Sequence, residues 1–273
     1  MGHEVHWSED GELYIRKSMI ESFLMCPRKF YLEWLKGIQR LANMMMLQGT
    51  RFHEFAQRFF EFADSIDMND WECMIPDEFN DHERRMALWF INYERGRLHD
   101  LILAGREDEW MPLLREHRMV DDEWYLESTL DRVDWHDRKN GELIIVEYKT
   151  GNKINEASVK RQIAFYTVLW YKTGSVGKVV GMRVINPNIG EVREFEVEEK
   201  DLRKVMKDVM KIRDAMLLKE FPAKCSEAKM AMCRLCSMEE SGLYEKDITI
   251  GRFADMIVDS MRFVDVYGDG ECE

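Results

Sequence analysis

The segment Leu143-Ile144-Ile145-Val146-Glu147-Tyr148-Lys149-Thr150 constrains the fold more than any other part of the chain. Its apolar, β-branched start is the pattern of a strand covered on both faces, which belongs at the centre of a sheet flanked by helices. Side chains alternate along a strand, so Glu147 and Lys149 share a face at the end of the most hydrophobic run in the sequence. A carboxylate and an ammonium are costly there unless they pair or bind something. Upstream, Trp124 to Trp135 alternate in polarity, and Asp137-Arg138-Lys139-Asn140-Gly141 supply a turn, so the two runs read as a β-hairpin. On the first strand Glu127, Thr129, Asp131 and Val133 share one face, while Ser128, Leu130, Arg132 and Asp134 share the other. Pairing of the strands lets an aspartate meet Glu147. Two converging carboxylates repel unless a cation sits between them, and oxygen ligands suit Mg²⁺ or Mn²⁺. A cross-strand salt bridge would account for the same spacing without chemistry.

The rest of the chain supplies helices before and after this hairpin. Ser18 and Glu21 have the spacing of a capping box ahead of Met19, Ile20, Phe23 and Leu24. Pro27 interrupts, and Arg28 to Lys36 resumes a helical pattern. Gly49 to Phe62 and Asp81 to Leu103 also read as helices, which makes the first 120 residues mainly α. Downstream, Ala157 to Tyr171 is helical, and Lys178 to Ile185 and Val192 to Val197 read as strands around an Asn186-Pro187-Asn188 turn. Asp201 to Leu218 is an amphipathic helix with Leu202, Val205, Val209, Ile212 and Met216 inward. The expected fold is therefore α/β, a mixed central sheet flanked by helices, with a helical N-terminal part. One domain is expected over 1–273: a helical part at 18–120, an α/β core at 121–218, a cysteine-rich segment at 219–238 and an acidic segment at 239–273.

Charge alone misleads. Fifty-two acidic against 39 basic residues leave a net charge of −13, which argues against a polyanion as partner. Residues 239–273 carry −7 of that total, whereas Ala157 to Gly190 holds Lys160, Arg161, Lys172, Lys178 and Arg183 with no Asp or Glu. That +5 stretch suits a polyanion, or is simply a solvated helix face. No run of 18 apolar residues and no signal-like segment is present, so a cytoplasmic chain with no membrane partner is expected. Of six cysteines, Cys233 and Cys236 have the C-x-x-C spacing of neighbouring ligands on one metal, and Cys225 and Cys26 raise the number of thiolates to four. Iron-sulfur, zinc or buried, unmetallated thiols all remain open. Cys73 reads as an ordinary buried or partly exposed residue.

Asp131 followed by Glu147-Tyr148-Lys149-Thr150-Gly151 resembles the signature of the PD-(D/E)XK nucleases. Four further stretches resemble their RecB-like branch. Gly49-Thr50-Arg51-Phe52-His53-Glu54 is similar to its Gly/His helix motif, and Leu130-Asp131-Arg132-Val133-Asp134 to its Asp-Arg-hydrophobic-Asp motif. Gln162-Ile163-Ala164-Phe165-Tyr166 is similar to its Gln-x-x-x-Tyr motif. Cys26-Pro27-Arg28-Lys29-Phe30-Tyr31, with the late cysteines, resembles the iron-sulfur members, notably CRISPR-associated RecB-like exonucleases and the AddB-type nuclease domain. The motifs run in family order over about residues 18–238.

The resemblance implies a restriction-endonuclease-like core and a divalent-metal-dependent deoxyribonuclease, an exonuclease on single-stranded DNA or DNA ends, serving CRISPR adaptation, recombination or repair beside other proteins of those systems. It implies His53, Asp131, Glu147 and the Tyr148 carbonyl as ligands of Mg²⁺ or Mn²⁺, and Asp131, Glu147 and Lys149 as the catalytic set. Lys149 would position or deprotonate the water and offset phosphate charge. Gln162 and Tyr166, four apart on one helix face, would brace the site or touch the backbone of DNA. Cys26, Cys225, Cys233 and Cys236 would hold a 4Fe-4S cluster, although the family often places its last cysteine after the close pair. Taken alone, His53 is a packing or surface residue, and Asp134 is the rival of Asp131 on the opposite strand face. A non-catalytic DNA-binding or adaptor protein with the same fold is the alternative function.

Overall fold

A computed structural model of the chain describes residues 5–38, 44–224 and 235–236. These residues form two compact units, each built from separate stretches of sequence. No helix among them is long and apolar enough to cross a membrane.

The first unit takes in 5–38, 122–127, 204–224 and 235–236. It contains helix α1 (Lys17–Met25), helix α2 (Pro27–Phe30), which runs on into a π-helical turn Tyr31–Leu35, and most of the final amphipathic helix. The expected capping box at Ser18 is not used: Arg16 is the N-cap of α1, and no side chain caps it. Pro27 sits at the first position of α2, where its missing N–H leaves nothing unpaired. Ile15 exchanges backbone hydrogen bonds with Tyr125 and Glu127, and the buried Glu127 carboxylate takes Arg16 and His6. Arg213 donates to the Trp124 and Tyr125 carbonyls. Leu32, Ile38, Leu235 and Cys236 form a small core in this unit.

The second unit, residues 44–121 and 128–203, holds helix α3 (Met44–Phe62), helix α4 (Asp81–Leu103) and most of the sheet. Asn80 and Glu83 close a full capping box on α4, as the short polar cap before an apolar-periodic run requires. Phe52, Phe55, Phe59 and Phe60 on α3 fill one helix face and pack around Phe90 of α4, with stacked Trp71 and Trp110 beside them. Val146, Tyr148 and Ile185 bring the sheet into the same core.

The strands are β1 (Leu114–Asp121), β2 (Leu126–Asp137), β3 (Glu142–Tyr148), β4 (Lys178–Asn186) and β5 (Glu191–Glu196), in spatial order β1-β2-β3-β4-β5. β2 and β3 are antiparallel, β3 and β4 parallel, and β4 and β5 antiparallel, with α5 (Glu156–Lys172) forming the crossover between the parallel pair. The predicted hairpin and mixed sheet are thus present, and β3, the apolar run, has strands on both sides. α6 (Glu199–Leu218) follows β5, with Val205, Val209 and Ile212 buried as predicted. β1 was not expected, because the first 120 residues read as mainly α. Arg115, Glu116, Arg118 and Asp121 give this strand too little apolar alternation to stand out.

The face of β2 and β3 turned toward α3 and α4 carries a buried charge cluster. Arg132 grips Asp134 through two hydrogen bonds of 2.6 Å and reaches Glu94 on α4 at 2.7 Å. Its guanidinium lies over the Phe60 ring. Arg97 and Arg183 stand 3.7 and 3.6 Å from Asp134, and Arg97 also bonds Glu94. Burial opposes the charged form of Asp134, but Arg132, Arg97 and Arg183 overcome it and hold the carboxyl below the usual aspartate range. Removing one member strands the others, so Asp134→Ala is expected to cost about 3–5 kcal/mol of stability in urea unfolding. Because the folded value is depressed, this stabilisation is present above the ordinary carboxylate pKa of about 3.9 and fades as pH falls through the lower folded value. The stability difference between the native protein and Asp134→Ala should shrink in that acid window and stay constant from neutral pH down to it.

Candidate active site

The site is built at one end of the β2–β3 pair. Arg132 pairs with Val146, so the next rung places Asp131 opposite Glu147, on the face away from the charge cluster. A 2.9 Å hydrogen bond from the Tyr148 amide to Asp131 Oδ2 ties the two strand ends together. On the other side, β3 is held by β4 up to Tyr148 and Ile185, and the Lys149 amide adds a 2.9 Å bond to the Ile185 carbonyl. Glu147 therefore stands on a strand fixed from both edges. Its carboxylate accepts from Lys149 Nζ at 2.5 Å and, more weakly, from the Tyr166 hydroxyl at 3.4 Å. Gln162 Nε2 donates to Tyr166 at 2.8 Å one helical turn away on α5, so the predicted pair braces the carboxylate from behind. Burial and the adjacent charges of Glu147 and Asp131 push the Tyr166 hydroxyl far above its ordinary pKa, which keeps it a neutral donor.

His53 reaches the site from α3, its Nδ1 3.6 Å from Asp131 Oδ2. The opposing effects on this pair are clear in sign. Burial favours neutral His53, yet Asp131 and then Glu147 outweigh it and raise the imidazole pKa. Burial favours protonated Asp131, yet His53, the Tyr148 amide and Lys149 keep its carboxyl below the usual value. The reason His53 can approach lies one turn earlier. A Cβ on Gly49 would stand 2.8 Å from Thr150 Oγ1, so glycine lets α3 come this close to the segment that follows Lys149 without displacing that side chain. The side-chain amides of Asn186 and Asn188 hold that segment by donating to the carbonyls of Gly151 and Thr150. Beside it opens a cavity of about 240 Å³ bordered by Gln48, His82, Thr150, Asn152 and Asn188.

The structure thus brings together His53, Asp131, Glu147, Lys149, Gln162 and Tyr166. Tyr148 divides its roles: its side chain points into the aromatic core against Phe52 and Phe90, with its hydroxyl near Arg132, and only its backbone belongs to the site. Asp134 lies in the charge cluster on the far face. The donor set of two carboxylates and an imidazole fits a hard divalent cation, with His53 adding a nitrogen that Mn²⁺ accepts. Among the described residues no three His, Cys, Asp or Glu side chains already stand in a ready-made metal cage.

Two expectations change. The basic stretch from Ala157 to Gly190 is largely matched by carboxylates from other segments: Lys160 by Glu198, Lys178 by Glu142, and Arg183 by Glu194 and Asp134. It is therefore poor support for a polyanion surface. Of the proposed cluster ligands, Cys26 lies at the N-cap of α2 and Cys236 is buried in the small core of the first unit, while Cys225 and Cys233 lie outside the described residues, as does the acidic segment 239–273. Cys73 is exposed. The sequence reading missed Glu116 of β1, whose carboxyl is raised by burial and by the charges of Asp131 and Glu147 against the pull of His53.

The family model described as PD-(D/E)XK nuclease superfamily matches residues 17–241. No curated protein matches the sequence. A crystal structure from Eubacterium rectale, of a protein named only provisionally as an exonuclease, is similar over 82% of this chain and 87% of its own, at 12% identity and a TM-score of 0.48. That likeness is too remote to assign any residue.

The Gly49 packing gives a test of how the site is assembled. Gly49→Ala should destabilise by about 1–3 kcal/mol through overpacking against Thr150. Thr150→Ala combined with it should recover most of that loss, and a double-mutant cycle in urea unfolding would register the coupling.

Proposed function

The chain belongs to the PD-(D/E)XK nuclease superfamily, and from that premise we propose that it is a divalent-metal-dependent deoxyribonuclease, an exonuclease acting on single-stranded DNA or DNA ends. The observation that carries this reading is the placement of Asp131 opposite Glu147 with Lys149 at 2.5 Å and His53 at 3.6 Å. Members of the superfamily generally work with Mg²⁺ or Mn²⁺, and Asp131, Glu147, His53 and the Tyr148 carbonyl are the groups that would hold one here. The bound cation supplies positive charge at the attacked phosphate and its water nucleophile.

The side chains account for the remaining work. Lys149, paired with Glu147, is the group that would hold the attacking water and offset the negative charge growing on the phosphate oxygens. Tyr166, steadied by Gln162, keeps Glu147 aimed. A role in CRISPR adaptation, recombination or repair, alongside other proteins of those systems, fits the RecB-like motifs that the sequence carries. The iron-sulfur centre at Cys26, Cys225, Cys233 and Cys236 stands as a separate proposal, supported by the presence of Cys26 and Cys236 in one unit and decided by the iron and acid-labile sulfide content of protein purified without oxygen.

Cleavage of end-labelled single-stranded DNA with Mn²⁺ tests the proposal. Glu147→Ala and Lys149→Ala should each lower the rate by about 10²-fold or more, the loss typical of a group that stabilises transition-state charge. Activity that survives both changes would remove the site from the chemistry. Salt-dependent DNA binding without cleavage under any metal would point instead to the non-catalytic reading.

A further inference from the structure

The cavity beside the segment that follows Lys149 has no place in the chemistry above. It measures about 240 Å³ and lies wholly within the second unit. Thr150, the residue after Lys149, borders it, so it begins one residue from the reacting groups. Thr150 Oγ1 and Gly49 fit closely, and Gln48, the residue before Gly49 on α3, forms the adjoining wall. His82, from the first turn of α4, and Met86, one turn further on, border it as well.

The lining is neutral. No Asp, Glu, Lys or Arg borders the cavity, which disfavours a phosphate or a metal ion as its occupant. Asn188 Nδ2 donates to the Thr150 carbonyl at 3.0 Å and to Asn152 Oδ1 at 3.1 Å, so this wall is held in place before any ligand arrives. The Asn188 Oδ1, the Asn152 amide nitrogen, the Gln48 amide, the His82 ring and the Thr150 hydroxyl make no hydrogen bond among the described residues. Donors and acceptors therefore stand side by side, which suits the edge of a nucleobase and not a phosphate, which offers acceptors alone. Apolar groups supply the rest. Met44, Met45 and Met46 at the start of α3 are each more than half exposed, so this run fills no core, and Met45 joins the buried Met86 at the cavity. Thioethers pack favourably against aromatic rings. The volume is roughly eight times the about 30 Å³ that one water takes in the liquid, room for one ring system and not for a base pair.

Resting on the nuclease reading above, we propose that this cavity is a subsite for one unpaired nucleobase of the strand being cut. The amides meet the polar edge of the base, Met45 and Met86 pack on its ring, and the sugar-phosphate backbone of the same strand is left toward Lys149. A base enters only after leaving its stack and its pair, which costs least in a single strand or at an end. The subsite thus selects unpaired DNA through the base, a task that the groups directed at the phosphate do not perform.

Fluorescence anisotropy of the full chain, with a chelator present so that nothing is cut, tests this directly. It compares a labelled single strand of about ten nucleotides, within the span of one single-strand site, with a strand of the same length in which every nucleotide lacks its base. The native protein should bind the intact strand about tenfold more tightly, within the range that one stacked base contributes. The double variant Met45→Ala with Gln48→Ala, at exposed and half-exposed positions where alanine favours the helix, should lose most of that preference by weakening the intact strand alone. Asn152→Ala, an exposed position on another wall, should act alike and guards against a folding failure in the first variant. Equal affinity for the two strands in a native protein that cleaves DNA with Mn²⁺ would overturn the subsite and spare the nuclease reading. A preference that persists in both variants, or binding of neither strand, would also overturn it. A preference erased by the variants of a protein that cuts DNA with no metal would uphold the base subsite and overturn the nuclease reading.

Discussion

The register of one antiparallel strand pair decides where every chemical group of this molecule stands. With Arg132 level with Val146, the next rung brings Asp131 to Glu147, and the Tyr148 amide locks Asp131 in place at 2.9 Å. A shift by a single residue would exchange the two strand faces. Asp131 would then turn into the aromatic core, and Asp134 and Arg132 would turn away from their partners. The register is therefore enforced from both faces at once, by apolar burial of Val133 and Ile145 on one and by the ion cluster of Arg132 and Asp134 on the other.

That cluster explains an arrangement that motif matching leaves obscure. Asp131-Arg132-Val133-Asp134 carries charges on both faces of a central strand, an expensive choice. One face sends Asp131 to the candidate active site. The other sends Arg132 and Asp134 into a closed set with Glu94, Arg97 and Arg183, in which each buried charge meets its opposite. The second set pins β2 to α4 and β4, and the first is positioned as a result. Gly49 acts in the same way from α3, since the close approach it permits brings His53 within reach of Asp131.

Much of this was legible from residue order because the hairpin announces itself in three independent ways: an apolar β-branched run, a polar turn, and two charges where a core strand should be apolar. α4 was equally clear, down to both its ends, because its periodicity is long and its start is marked by Asn80 and Glu83. Where local signals were short, tertiary context prevailed. The Ser18 and Glu21 spacing did not become a cap, since Arg16 already lies in the extended stretch that ties to Glu127. β1 was hidden because its alternation is built from charged residues. The basic stretch misled for a related reason: a sequence window cannot show that the carboxylates neutralising Lys178 and Arg183 come from Glu142 and Glu194 on neighbouring strands. Cys225 and Cys233 belong to a part of the chain for which only the sequence speaks.

The account stands or falls on whether Asp131 and Glu147 together receive a divalent cation. The most direct measurement is the anomalous scattering of Mn²⁺ in crystals of the protein grown with that ion. The account predicts a peak between the two carboxylates at about 2.0–2.6 Å from an oxygen of each, the range for hard divalent cations, with Lys149 Nζ drawn off Glu147. A peak elsewhere in the molecule, with the Lys149 to Glu147 pair intact, would contradict it.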